Sequence, residues 1–274
     1  MQDTVNKDRD KYIGGSDIPI IMNLSPFKRR YDLLLEKAGY KEDAFKGNVF
    51  TEYSNTMEAK IRQWINDYYV NANNPFVEGK HVREAEADEV IGVRVHTDGE
   101  NCDTVLEVKT TTSIHVSIND YKLYLVQLLF NMIESEKPYG LLAVYERPED
   151  LSEEFDKTRL QLFDISIDDY EDLCLEIGEA CEKFVEDLIK VKANPNITEA
   201  DLLPIDVTDI VKRILALESE LMNMRNIFLL DERAIEADKL RLAEAMQASG
   251  VNTWRTANGY KINLTPAGVE IEEV

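Results

Sequence analysis

The sequence predicts a mixed α/β core followed by a helical arm and a small β-hairpin, and three observations carry that reading. Residues 90–96 and 104–110 alternate apolar with polar side chains, the period of two expected of half-buried strands, within an order of α, three β, α, β. Beyond residue 206, Ile210, Ile214, Leu217, Leu221 and Met224 keep a near-heptad spacing, the mark of a long helix. Near the end, Ala257-Asn258-Gly259 separates two β-rich runs, 251–256 and 260–264, and Asn-Gly tolerates the positive φ of a hairpin turn.

Taken in order, residues 12–23 and 29–38 read as short helices parted by Asn23-Leu24-Ser25-Pro26-Phe27, with Gly39 ending the second. Met57, Ile61, Trp64, Ile65 and Tyr68 form an apolar stripe at helical spacing. They predict a helix over 57–70, capped by Asn55 or Thr56, with Glu58 near its start, where a carboxylate is favoured by the helix dipole in any case. Strands follow over 76–83, 90–97 and 103–110, then a helix over 119–135 and strands over 140–146 and 159–165. A helix over 167–191 carries Leu173, Ile177, Phe184 and Leu188 as a core stripe, and the two prolines within 192–206 mark a linker. The expected division is residues 1–200 and 201–274.

With 274 residues the chain can bury one large core without staples. It has no run of about 18 apolar residues, and residues 1–10 lack the apolar stretch of a secretory signal. The expectation is a soluble, cytoplasmic protein with no membrane partner. Cys102, Cys174 and Cys181 form no Cys-x-x-Cys pair, and His81, His96 and His115 are scattered, which argues against zinc, iron–sulfur and disulfide frameworks. A net charge of -22 would normally exclude a nucleic-acid partner. Its distribution matters, however: residues 151–201 hold fifteen acids against five bases, whereas residues 7–37 hold seven bases against five acids.

The chemistry centres on Asp98 and on Leu106-Glu107-Val108-Lys109. Asp98-Gly99-Glu100-Asn101 is rich in turn formers, so Asp98 is expected to begin a turn after one strand. On the next strand, the period of two puts Glu107 and Lys109 on one face and Leu106 and Val108 on the other, with Asp98 in reach of the first face. Two close carboxylates can hold a hard divalent cation, and a neighbouring ammonium can orient a water that attacks phosphorus. Phosphodiester hydrolysis is the reaction suggested. Taken alone, Glu-Val-Lys also fits a solvated strand face with a weak surface ion pair.

Further motifs stand in a definite order around this pair. Tyr12-Ile13-Gly14-Gly15-Ser16-Asp17-Ile18 precedes Leu24-Ser25-Pro26-Phe27 and Asp32-Leu33-Leu34-Leu35-Glu36-Lys37-Ala38-Gly39; Met57-Glu58-Ala59, Thr97-Asp98-Gly99, Glu107-Val108-Lys109 and Tyr124-Leu125-Val126-Gln127 follow. Together they resemble the YqaJ-type, lambda-exonuclease-like branch of the PD-(D/E)XK nuclease superfamily. Asp98 and Glu107-x-Lys109 stand for its core signature, and Tyr124 and Gln127 for its Tyr-x-x-Gln helix. The resemblance covers roughly residues 9–146 and departs at Thr97, where the family usually has proline, and at His96, where a small polar residue is expected.

The resemblance implies a PD-(D/E)XK restriction-endonuclease-like core in residues 1–200. It implies that Asp98, Glu107 and the Val108 carbonyl ligate Mg²⁺ or Mn²⁺, that Glu58 supports the metal shell, that Lys109 positions the attacking water, and that Gln127 orients the site. Arg9 and Ser16 align with the family's pocket for a terminal 5′-phosphate. The implied activity is exonucleolytic digestion of linear duplex DNA in phage recombination, with a RecT-like single-strand annealing partner and a ring-shaped homo-oligomer. An endonuclease using the same site, or a catalytically idle DNA-binding scaffold, would share much of this pattern.

Overall fold

The computed structural model describes residues 8–42, 47–87, 89–202, 205–255 and 259–273. It divides into two compact units, Met1–Leu202 and Leu203–Val274. The first is built on a six-stranded mixed sheet of β1 (Tyr12–Ile13), β2 (Val77–Arg83), β3 (Gly92–Glu100), β4 (Thr104–Thr111), β5 (Tyr139–Glu146) and β6 (Leu160–Ser166). β3 pairs in parallel with β1 and antiparallel with β2 and β4; β5 joins β4 in parallel and β6 antiparallel.

Two apolar cores sandwich this sheet, as the alternation along the strands requires. On one face Leu125, Val126, Leu128 and Leu129 of α4 (Lys122–Glu134) and Phe184 and Leu188 of α5 (Glu171–Ala193) pack with Val93, Val95, Val105 and Leu142. On the other, Tyr53, Met57, Ile61 and Ile65 of α3 (Val49–Tyr68) meet Leu106, Val108, Leu141 and Ala143. α3 is longer than its apolar stripe predicts. Its cap is Asn48, whose carboxamide oxygen accepts the N–H groups of Phe50 and Thr51 at 3.0 and 3.1 Å, so Asn55 and Thr56 lie inside the helix. Glu58 therefore sits in mid-helix, and the dipole argument for its presence falls away.

The amino-terminal segment differs most from expectation. Residues 12–23 are not one helix: Tyr12–Ile13 is a strand, Gly15–Asp17 a 3₁₀ turn, and only α1 (Ile18–Ile21) is α-helical. Gly15 explains the break, because a Cβ there would collide with the Asn131 side chain of α4, so the backbone packs on that helix directly. Asp17 accepts the Gly14 N–H at 3.0 Å and pairs with the buried Lys37 at 2.7 Å. Lys37, at the end of α2 (Arg30–Lys37), also donates to the Arg9 and Tyr12 carbonyls, at 2.8 and 2.5 Å, and so fastens the segment to the core. Gly39 ends α2 with a φ of 79°, as its position predicts.

Asp98 lies within β3 rather than at the start of a turn. The turn falls later, where the Asn101 carboxamide oxygen accepts from Asp103 and Thr104. The linker read over 192–206 is partly helical: α5 runs to Ala193, a 3₁₀ turn spans Glu199–Leu202, and α6 (Ile205–Ala248) already begins at residue 205. In the second unit, α6 packs its last turns on a sheet of β7 (Thr253–Arg255), β8 (Tyr260–Thr265) and β9 (Gly268–Glu273). β7 and β8 pair antiparallel as the hairpin reading requires, although 256–258, including Asn258 of the turn signal, lie outside the described residues. Cys102, Cys174 and Cys181 are free thiols. Among the described residues no helix is long and apolar enough to cross a membrane.

Candidate active site

The site forms where β3 and β4 part. Their ladder holds only at Gly99–Leu106 and Glu100–Val105, while farther along the same edge of β3 the partner is β1, at Gly92 and Val93. Between these two pairings the backbone edge is open. Past the last paired residues, the Val108 N–H donates to the Asp98 carboxylate at 2.7 Å, so a side chain completes what a strand would otherwise supply.

Alternation on β4 turns Leu106 and Val108 toward α3 and Glu107 toward α4. Glu107 is only 1% exposed and receives three donors: Lys109 Nζ and Gln127 Nε2 at 2.6 Å on Oε1, and Asn131 Nδ2 at 2.9 Å on Oε2. A buried carboxylate survives only when paired and hydrogen-bonded in this way. The Lys109 ammonium stands 6.0 Å from the ring centre of Tyr124, which stacks on Tyr121. Tyr124 thus borders the site through its ring.

From the opposite face, Glu58 enters through Arg62. That guanidinium donates to Glu58 at 3.2 Å and to the Asp98 carbonyl, and pairs with Glu78 at 2.5 Å. Burial, then the negative charges of Glu107 and Glu58, push the Asp98 carboxyl well above the usual carboxylate range. Burial pushes Glu58 up as well, opposed by Arg62 and assisted by Glu78 and Glu107. Burial disfavours the Lys109 ammonium, but Glu107 and Asp98 outweigh it and raise its pKa, so it stays charged. Crowded carboxylates that would rather bind protons are suited to bind a cation. Among the described residues no three acidic, His or Cys side chains close into a metal cage. Asp98, Glu107 and the Val108 carbonyl, the ligands the resemblance implies, would make a sparse all-oxygen set, the kind that leaves Mg²⁺ several waters or phosphate oxygens.

Beside the carboxylates lies a small cavity of about 150 Å³, lined by Arg9, Ser16, Arg94, His96 and Gln127 among others. Arg9 donates to Ser16 Oγ at 3.2 Å and lies 3.5 Å from Asp17. Gln127 lines this cavity and also holds Glu107, which joins the two places physically. The sequence motifs therefore converge, but the reading missed Asn131, Arg62 and Arg94. Asn131 was detectable as a second polar residue four positions after Gln127 on a helix otherwise apolar there, and Arg62 as the i+4 partner of Glu58. Arg94 gives no sequence signal beyond its place on the strand. The His96 departure falls inside the cavity, where its buried Nε2 has no hydrogen-bond partner among the described residues.

Comparison with known proteins agrees with this geometry. Residues 6–137 match the family model of the YqaJ-like viral recombinase domain. No curated protein sequence matches the chain. Among solved structures, LHK-Exo in complex with dAMP superposes with a TM-score of 0.53 at 16% identity, covering 73% of this chain and 100% of that one. A second structure of LHK-Exo, an alkaline exonuclease from Laribacter hongkongensis, scores 0.48 at 15% identity over 78% and 98% of the two chains. A phage-related exonuclease from Haemophilus somnus scores 0.45 at 14% identity over 65% and 95%. The first score shows a shared mixed α/β fold; the other two are too low to add to it.

Proposed function

Because residues 6–137 match the family model of the YqaJ-like viral recombinase domain, we propose that this chain is a divalent-metal-dependent exonuclease that hydrolyses linear duplex DNA from its ends. The observation that carries the proposal is the hydrogen bond that the Asp98 carboxylate accepts from the Val108 N–H, between the ion-paired Glu107 and Lys109, at the parting of β3 and β4. In this reading Asp98, Glu107 and the Val108 carbonyl hold Mg²⁺ or Mn²⁺, an assignment supported by the raised proton affinity of Asp98. The bound cation supplies Lewis-acid activation of the scissile phosphate and of the attacking water.

The remaining work falls to the chain's own groups. Lys109 keeps its proton, orients the water by hydrogen bonding, and offsets negative charge that develops on the phosphate oxygens. Gln127 and Asn131 fix the Glu107 carboxylate so that its geometry does not depend on the ligand. Glu58, steered by Arg62, adds negative charge on the α3 side of the metal shell. Arg9 and Ser16 grip a terminal 5′-phosphate in the adjacent cavity, with Arg9 offering paired charge-assisted hydrogen bonds. Tyr124 and Gln127 border the strand being cut. The product feeds strand annealing in phage recombination in the cytoplasm, with a RecT-like partner and a homo-oligomeric ring as the assembly.

Digestion of end-labelled linear duplex and of covalently closed circles, each with Mg²⁺ or EDTA, tests this. Mg²⁺-dependent loss of label from the linear substrate alone is the expected result. Cutting of the closed circle would replace the exonuclease with an endonuclease, and no cutting of either would leave a binding scaffold.

A further inference from the structure

Among the described residues, the buried side chains of α6 lie in its last turns. Ala243 and Met246 pack with Ile262 and Val269 of the three-stranded sheet, with Leu242 and Leu264 at the margin. Every side chain from residue 211 to residue 229 is exposed. Ile214, Leu217, Leu221, Met224 and Phe228 are between 48% and 62% exposed although they recur at alternating spacings of three and four. Such a stripe buries itself against another helix or remains an aggregation liability.

The charges beside the stripe indicate which helix. With Ile214, Leu221 and Phe228 at the a positions of a heptad and Leu217 and Met224 at d, Arg213 and Glu220 occupy g while Glu218 and Arg225 occupy e. In a parallel, in-register coiled coil each g residue faces the e residue five positions later on the neighbouring helix. Arg213 then meets Glu218, and Glu220 meets Arg225, so both contacts join opposite charges and symmetry repeats them. An antiparallel coil centred on the Leu217–Leu221 layer would instead set Glu218 against Glu218 and Glu220 against Glu220. Asp231 and Asp238 fall at the next two d positions, where identical carboxylates would face each other in register, so the seam ends near Phe228. Leu215, Met222 and Leu229 fall at b, beyond the e positions of Glu218 and Arg225, and lie outside this seam.

We propose that residues 213–228 of α6 bind the same segment of further copies of this chain as a parallel, in-register coiled coil. The proposal is independent of the nuclease chemistry, since none of these residues belongs to the first unit. Light scattering on the full chain at micromolar concentration should give a whole multiple of 31.4 kDa above that of a single copy. Leu221→Glu should lower that mass. Glu220→Arg, which sets a second guanidinium beside that of Arg225 in the neighbouring copy, should raise the dissociation constant by roughly tenfold, as a like-charge contact repeated by symmetry would. Glu220→Arg combined with Arg225→Glu should restore it, because the g and e charges are opposite again. The side chains at 213, 218, 220 and 225 are exposed, so the swaps leave the fold intact. A monomeric wild type, an unchanged mass for Leu221→Glu, or a double swap as dissociated as the single would each overturn the proposal.

Discussion

Replacing Lys109 with Met keeps the aliphatic stem and removes only the charge, which makes it the sharpest probe of the site. Lys109 Nζ lies 2.6 Å from Glu107 Oε1, and Glu107 is 1% exposed. Removing one partner of a buried ion pair costs about 3–5 kcal/mol, because the other charge is left without compensation. Gln127 and Asn131 still donate to Glu107, so the lower end, about 3 kcal/mol, applies here. For a unit of this size that is a drop in Tm of about 6–12 °C in EDTA. A divalent cation on Asp98 and Glu107 replaces the missing positive charge, so Mg²⁺ should recover most of the lost Tm while cleavage of end-labelled duplex stays at least a hundredfold down, the scale at which one electrostatic contact counts in a transition state. Thermal unfolding in EDTA and in Mg²⁺, beside the cleavage rate, reads both quantities. An unchanged Tm in EDTA would refute the role of the ion pair, and a wild-type rate would refute the role of Lys109 in the chemistry.

Asp98→Asn should lose cleavage by orders of magnitude and also lose the rise in Tm that Mg²⁺ gives the wild type; calorimetric titration that still shows wild-type Mg²⁺ affinity would remove Asp98 from the ligand set. The same variant has a pH signature. Burial, Glu107 and Glu58 raise the folded-state pKa of Asp98, so its ionisation costs the metal-free fold nothing below about pH 4 and progressively more as pH rises toward the folded value. In EDTA the stability advantage of Asp98→Asn over wild type should therefore grow with pH, and a flat difference in urea midpoints from about pH 4 to about pH 8 would contradict the crowding argument. Arg9→Ala should slow digestion of 5′-phosphorylated duplex toward the rate on 5′-hydroxyl ends while leaving Mg²⁺ affinity untouched; equal slowing of both ends would make Arg9 a general phosphate contact.

Elements whose pattern has one physical cause were legible in the sequence, and those decided by distant contacts were not. β3 to β6 and α4 follow their alternation or periodicity to within two or three residues, because their apolar side chains fill the cores on the faces of the sheet. Tyr12–Ile13 was read as helix because its neighbours Ile18, Ile20 and Ile21 are apolar at close spacing. What makes it a strand is an empty backbone edge at Gly92–Val93, eighty residues away. α3 was cut short for a related reason: residues 49–56 bury only Tyr53, so the apolar stripe starts late, while the cap at Asn48 sets the true beginning.

The site was legible where chemistry and order coincide, and partly hidden where one residue serves another. Glu107, Lys109 and Gln127 stand in contact, with Asp98 bonded to the intervening Val108 N–H, because β3 and β4 part and α4 crosses behind them. Asn131 escaped notice since a single Asn in an apolar helix resembles tolerated noise, yet its amide group completes the shell around Glu107. The net charge of -22 misled in the same manner, by averaging over the chain. The cavity beside the carboxylates is lined by Arg9, Arg94 and His96 against Asp17, and Asp17 is already paired with Lys37. Two guanidinium groups are gathered at that cavity, whereas much of the acid excess lies along residues 151–201, fifteen acids to five bases. Electrostatic attraction for a phosphate depends on charges within about a Debye length, near ~8 Å in physiological salt. A strongly acidic protein can therefore hold a phosphate end, provided that its few basic groups are gathered at the site.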